Sequence, residues 1–179
     1  MEQTASTPEV FTIGHSTHPA DEFVRMLRAN GVELVIDVRT VPGSRHNPQF
    51  AEKELERWLL DAGIGYRRMA ELGGLRRTTK ESVNGGWRNA SFRGFADYMQ
   101  TPEFDAGIDE LIAAARKQAV AIMCAEAVPW RCHRSLIGDA LLARGGRVLD
   151  IMSEKSTRPH GLTSFAKVEG TRVWYPEPS

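Results

Sequence analysis

A chain of 179 residues with 41% hydrophobic and 26% charged residues has the make-up of one globular domain, large enough to bury roughly two-thirds of its unfolded surface. Lys plus Arg and Asp plus Glu stand at 23 each, so the whole molecule has no general pull toward nucleic acid or membrane, and attraction to an anion has to be local. No apolar run reaches the roughly 18 residues of a membrane span. "MEQTASTPE" lacks the basic-then-apolar layout of a leader, and two cysteines without an export signal point to a reducing, cytoplasmic setting rather than a disulfide framework.

Residues 1–9 are expected to be a flexible tail and 10–176 a single α/β domain. "VFTIG" (10–14) is β-branched and apolar, as a buried strand is. Pro19 then suits the first position of a helix capped by Thr17 or His18, with Phe23, Met26 and Leu27 inward and "NG" (30–31) as its stop. "VELVIDV" (32–38) is a second strand. A polar loop leads to a helix with Leu55, Trp58, Leu59 and Ala62 on its apolar face, and "IGYRRM" (64–69) makes a weaker third strand.

From 70 to 91 the periodicity disappears, and a glycine-broken polar stretch of this length reads as a lid-like loop. A helix is expected over 92–100. The next begins at Thr101 as cap and Pro102, with Ile108, Leu111, Ile112 and Ala115 inward. "AVAIMC" (119–124) is the most apolar strand. The helix from about His133 to Arg144 stops at Gly145 and Gly146, and "RVLDIM" (147–152) is the fifth strand. "SFAKV-EG-TRVWY" predicts a C-terminal β-hairpin turning on Glu-Gly.

Alternating strands and helices with apolar strands predict a doubly wound, mostly parallel five-stranded sheet with helices on both faces, in an order such as 3-2-1-4-5. Strands one and four are then neighbours where the order reverses, and ligands bind outside the carboxyl ends of such strands. "GHSTH", "DVR" and "CAEAVPWRCHR" all fall at that edge.

In the last of these, Cys124 ends a strand and a helix starts near His133, so helix-end N–H groups and arginines could stabilise a thiolate. Six residues separate Cys124 from Arg131 and no glycine opens the loop, so a small buried hydrophobe is the other reading of Cys124. A Cys/His metal cluster is a further one, though eight-residue steps between cysteines do not match closed zinc sites. Glu126 reads as a general base or as an ion-pair partner of Arg39, Arg131 or Arg134. Asp37, set in an apolar run, bridges or orients a neighbour, and Arg39 shares its face of the strand. His15 and Ser16 offer polar side chains and, with Gly14, backbone N–H groups for an anion. Between 67 and 93 there are seven basic residues and two acids. With Arg76, Arg77 and Trp87 among them, this stretch is a candidate surface for phosphates and stacked bases.

"TIGHST", "LVIDVRTVPGS", "GIGYRRMAELGG", "FRGFADYM", "IMCAEAVPWRCHR" and "GRVLDI" together resemble the family catalogued as domain of unknown function 488, across residues 11–152. The resemblance implies an α/β sandwich whose signature holds Asp37, Arg39, Cys124, Glu126, Cys132, His133 and Arg134; it supplies no reaction and no cofactor.

The residues themselves lead to an enzyme acting on a phosphate-bearing substrate, a nucleotide or nucleic acid. Glu126, Cys124 and Asp37 are its catalytic candidates, and His15, Ser16, Arg39, Cys132, His133 and Arg134 hold the substrate. A non-catalytic nucleotide or nucleic-acid module is the alternative, and a metal-binding protein the second.

Overall fold

The computed structural model describes residues 7–43 and 45–178. Most of the expected tail lies outside the described residues, and β1 (Glu9–Gly14) already begins at Glu9. The chain continues through α1 (Ala20–Ala29), β2 (Leu34–Asp37), α2 (Glu52–Asp61), β3 (Gly65–Arg68), α3 (Ala90–Tyr98), α4 (Pro102–Lys117), β4 (Val120–Cys124), α5 (Arg134–Ala143) and β5 (Arg147–Ile151). Three short strands follow: β6 (Thr157–Pro159), β7 (Lys167–Glu169) and β8 (Arg172–Trp174). Among the described residues no helix is long and apolar enough to cross a membrane.

Strands β1 to β5 are parallel, and β6 adds an antiparallel edge beside β5. The order is β3-β2-β4-β1-β5-β6, which corrects the expected 3-2-1-4-5. β4 sits between β2 and β1 because all five of its side chains are buried, and only a central strand is covered on both faces along its length. Parallel crossovers share one hand, so travel from β1 to β3 puts α1 and α2 on one face, and the return to β5 puts α3 to α5 on the other. Two cores result. Phe11, Ile13, Val35 and Ala121 pack with Phe23, Leu27 and Leu55, while Val10, Ile36 and Ile122 pack with Phe95, Ile108 and Leu136. Chain travel leaves β1 in one direction and β4 in the other, so these adjacent strands mark the switch point.

Local chemistry sets several boundaries. Asn89 caps α3 by accepting from Ser91 N at 2.8 Å, and Thr101 caps α4 by accepting from Phe104 N at 3.3 Å. Pro19 is itself the cap residue of α1, with no side-chain cap bond from Thr17 or His18. The C-terminal hairpin pairs Glu169 with Arg172, so it turns on Gly170 and Thr171, one residue later than expected. Gly170 has φ 61°, and the first central position of a two-residue hairpin turn is where that left-handed conformation is needed.

Candidate functional site at the β1–β4 switch

At the carboxyl ends of β1, β2 and β4 lies a cavity of about 530 Å³. His15, Ser16, Arg39, Cys124, Glu126, Cys132 and His133 all line it, with Arg131, His46, Ser91 and Phe92. The three polar clusters of the sequence therefore meet at one place.

The β1–β4 ladder runs one step beyond the strands. His15 N donates to Cys124 O and Ser16 N to Ala125 O, each at 2.9 Å. Both amides are thus committed to the chain and hold no anion, a correction to the reading of "GHS". Ser16 adopts φ 45°, a strained conformation for a residue with a side chain, and the turn brings His15 over Phe50 with ring centroids 4.4 Å apart. His15 Nδ1 donates to Ser16 O at 2.9 Å, which leaves Nε2 as the bare acceptor in the neutral ring. Burial, with Arg39 close by, holds His15 below the usual imidazole range.

Cys124 is 2% exposed on the cavity floor. The Arg134 guanidinium, wholly buried behind it, donates through Nη1 to Cys124 Sγ at 3.5 Å and through Nη2 to Ala127 O at 3.1 Å. Arg134 forms no ion pair with a carboxylate among the described residues, and its Nε–H is buried without an acceptor. It does not line the cavity, so its expected role as a direct substrate clamp is corrected: it serves the sulfur instead. Burial opposes ionisation of Cys124, yet the neighbouring Cys132 thiol and the Arg134 charge outweigh it and bring the thiol below its ordinary value. Cys132 is driven the opposite way, by burial and by the Cys124 sulfur, and stays a thiol.

His133 packs behind Cys132. Its Nε2 lies 3.0 Å from both Val38 O and Leu72 O, and its Nδ1 3.5 Å from Cys132 Sγ. Burial lowers His133 to about 4, so it is neutral. Its Nε2–H is committed to main chain, so the ring fixes loops rather than a substrate. Among the described residues no three His, Cys, Asp or Glu side chains gather as a metal cage.

Asp37 is fully buried and does not line the cavity. Its Oδ1 accepts from Arg39 Nε at 2.9 Å, and its Oδ2 accepts from Arg39 Nη2 at 2.8 Å and from Tyr66 OH at 2.6 Å. Asp37 is therefore the positioning partner of Arg39 rather than a catalytic group. A third Arg39 bond, Nη1 to Phe50 O at 2.7 Å, leaves two of the five guanidinium hydrogens for the cavity. Glu126 reverses its expected setting. It is exposed at the rim and pairs with none of Arg39, Arg131 and Arg134 among the described residues. Arg131, also exposed and without an ion pair there, is a cavity cation that was not among the substrate-holding residues named from the sequence. No acceptor among the described residues meets the N–H groups of Ala125, Ala127 and Val128.

The 70–91 segment is tied down rather than loose. Asp97 accepts from Thr79 N, Ser82 Oγ and Asn84 Nδ2 at 2.8, 2.6 and 2.8 Å. The Arg76 guanidinium sits over the Tyr98 ring, 3.6 Å from its centroid, and donates to Gly73 O and Ala70 O. Trp87 is packed among Phe92, Phe165 and Tyr175. Neither is the free phosphate contact or stacking platform expected; Arg77 alone of the three is exposed.

One buried polar network was missed. His160 bridges Asp139 (3.0 Å) and Asp150 (3.1 Å), while Tyr175 OH donates to Asp139 at 2.7 Å and Thr12 Oγ1 to Asp150 at 2.6 Å. Aspartates inside "LIGDALL" and "RVLDI" were the available signal, since an acid in an apolar helix or strand needs a buried partner.

Fold and site together define an α/β protein with a buried thiol–guanidinium pair at its switch point. The family model described as "Domain of unknown function DUF488" matches residues 19–141, more than half of the chain, and the protein belongs to that family. No curated protein and no solved structure matches it significantly.

Proposed function

We propose that this protein is an enzyme that uses Cys124 as a thiolate nucleophile on a small phosphate-bearing substrate of nucleotide size, in the reducing setting of the cytoplasm. The observation that carries this reading is the fully buried Arg134 guanidinium donating to Cys124 Sγ at 3.5 Å with no carboxylate among the described residues paired to it. A buried guanidinium cannot shed its proton, and an uncompensated buried charge is costly. Ionising the one sulfur it touches relieves that cost, because Asp150, the carboxylate that feels its charge, is already engaged by His160 and Thr12.

The surroundings suit an anionic substrate. Arg131, the two remaining Arg39 hydrogens and the amide of Ala125 supply donors, and the cavity volume lies in the range of small-molecule sites. The thiolate attacks the electrophilic centre, and the bond to the leaving group breaks with its electron pair. Water, losing a proton to His15 Nε2, then releases the group from sulfur. The engaged Arg76 and Trp87 favour a nucleotide over an extended nucleic acid.

A non-catalytic nucleotide binder would need the same cavity but not the thiolate. Incubation with a panel of mononucleotides separates the two, reading product by mass spectrometry and Cys124 alkylation at pH 6. An enzyme gives product that Cys124→Ser abolishes while binding persists. Unchanged nucleotide, with binding equal in both proteins, selects the binder. If Cys124 stays inert to alkylation until unfolding and no nucleotide binds, both readings fail.

A further inference from the structure

The nucleophile proposed above uses one of two thiols on the cavity floor. The second, Cys132, is 6% exposed, lines the same cavity and lies near enough to Cys124 for the two thiols to bear on each other's ionisation. The position of its hydrogen follows from His133. Two carbonyl oxygens face His133 Nε2 at 3.0 Å, and carbonyls only accept, so Nε2 carries the ring hydrogen and Nδ1 is a bare lone pair. Between Nδ1 and Cys132 Sγ, 3.5 Å apart, the only hydrogen is the thiol's own. Cys132 is thus a protonated thiol whose hydrogen faces an acceptor ring. Arg134 serves both: its Nη1 donates to Cys124 Sγ and its backbone N to Cys132 Sγ, each at 3.5 Å.

We propose that Cys124 and Cys132 form a peroxide-oxidisable dithiol pair, in which Cys124 takes an oxygen from a small hydroperoxide and Cys132 resolves it as an intramolecular disulfide. This rests on the thiolate reading of Cys124. In the first step the thiolate attacks the terminal oxygen of ROOH; the S–O bond forms, the O–O bond breaks, and RO⁻ departs with the electron pair, leaving Cys124–SOH. Once Cys124 is neutral, the negative sulfur that kept Cys132 protonated is gone, and Arg134 favours a thiolate on Cys132 instead. The Cys132 thiolate, its proton released to solvent, then attacks Cys124 sulfur, the S–O bond breaks, and the departing hydroxide takes up a proton from solvent as water. Two sulfurs lose one electron each and the peroxide gains two.

The geometry serves each requirement. Both sulfurs line the cavity, where a small molecule such as hydrogen peroxide can reach them. A guanidinium against the attacking sulfur stabilises both the thiolate and the developing oxyanion. Cys132 lies outside helix α5, in extended backbone with φ −137° and ψ 147°, and Arg134 touches both sulfurs at 3.5 Å, through its backbone N on Cys132 and its Nη1 on Cys124, so the two thiols flank one residue at the same cavity.

The test uses the full chain, reduced, desalted and exposed to near-stoichiometric hydrogen peroxide, with free thiols counted and peptides located by mass spectrometry. Wild-type protein should lose both of its thiols, form no disulfide between chains without reductant and recover both thiols with dithiothreitol. Cys132→Ser should instead accumulate a dimedone-reactive sulfenic acid at Cys124, and Cys124→Ser should leave Cys132 unoxidised. Cys124 carried to sulfinic acid with Cys132 still free, disulfides only between chains, or two untouched thiols would each overturn the pair. The wild-type count decides this even if a variant misfolds. Alkylation of Cys124 at pH 6 keeps the two ideas apart. Rapid alkylation without disulfide removes the pair and leaves the nucleophile standing; inertness until unfolding removes both.

Discussion

A β-carbon placed on Gly14 would fall 1.6 Å from the carbonyl oxygen of Glu126 and 2.6 Å from Arg134 Nη1. The end of β1 therefore touches the loop that carries the site, and glycine is needed there for contact with the chain itself rather than with a ligand. Gly14→Ala should push the loop and the guanidinium off Cys124. Overpacking of this kind costs roughly 1–3 kcal/mol, which corresponds to a melting-point fall of about 2–12 °C for a domain of this size. Thermal unfolding together with Cys124 alkylation at pH 6 checks it. Full stability with unchanged alkylation would mean that the two loops are not packed as described.

Arg134→Met keeps much of the side-chain volume and removes the charge. Cys124 should then lose the partner that favours its thiolate, and its alkylation at pH 6 should fall toward that of an ordinary thiol, about tenfold for each unit by which it rises. Arg134→Lys keeps a cation but not the fork that reaches Cys124 Sγ and Ala127 O together, so it should restore only part of the rate. Measuring the rate from pH 5 to 10 for each variant decides this; identical profiles would show that Arg134 does not act on the sulfur.

What was legible in the chain and what was not follow one physical line. Strand burial and period-two patterning are local, so β4 and the gathering of "GHS", "DVR" and "CAE…CHR" at one sheet edge could be read directly. Strand order was not, because placing β4 between β1 and β2 depends on which strand needs cover along both faces. The Cys124–Arg134 contact spans ten residues and was read only as a general attraction; that the arginine lies behind the sulfur and not in the cavity depends on the packing of α5. Glu126 was misplaced because two residues after a buried strand the chain has already turned outward. His160 could not be linked to Asp139 and Asp150 before β6 was known to pair with β5. Gly138 was a trace of it: a β-carbon there would meet His160 Nε2 at 2.8 Å, which explains a glycine inside a helix that ordinarily loses about 1 kcal/mol by it.

The Asp37–Arg39 pair is buried and bidentate, and removing one partner strands the other. Asp37→Ala should cost about 3–5 kcal/mol, whereas Tyr66→Phe, which deletes a single donor to the same carboxylate, should cost on the order of 1 kcal/mol. Denaturant unfolding measures both. The comparison also tests the assignment of Asp37 as a positioning residue: a variant that keeps full stability but loses all activity would return it to the chemistry.

Stability should peak near neutral pH, with a different histidine responsible on each side. His160, set between Asp139 and Asp150, is raised to about 9 despite burial. Below its unfolded value of 6.5 its contribution is fully present. Between 6.5 and about 9 the unfolded chain releases the proton first, so stability falls as pH rises, by roughly 2–4 kcal/mol in total at 1.36 kcal/mol per unit. His133 works in the other sense. Burial lowers it to about 4, so the unfolded chain takes up a proton first as pH drops below 6.5, and stability is lost toward 4. His15 shifts in the same direction. The decisive comparison is His160→Asn against wild type by denaturant unfolding at pH 6, 7.5 and 9.5. The variant should be weaker at pH 6, because two buried aspartates are left facing each other without their cation, and the deficit should shrink by most of its value at pH 9.5, where wild-type His160 is largely neutral as well. A deficit of the same size at all three values would mean that His160 fills space in the network without carrying a proton.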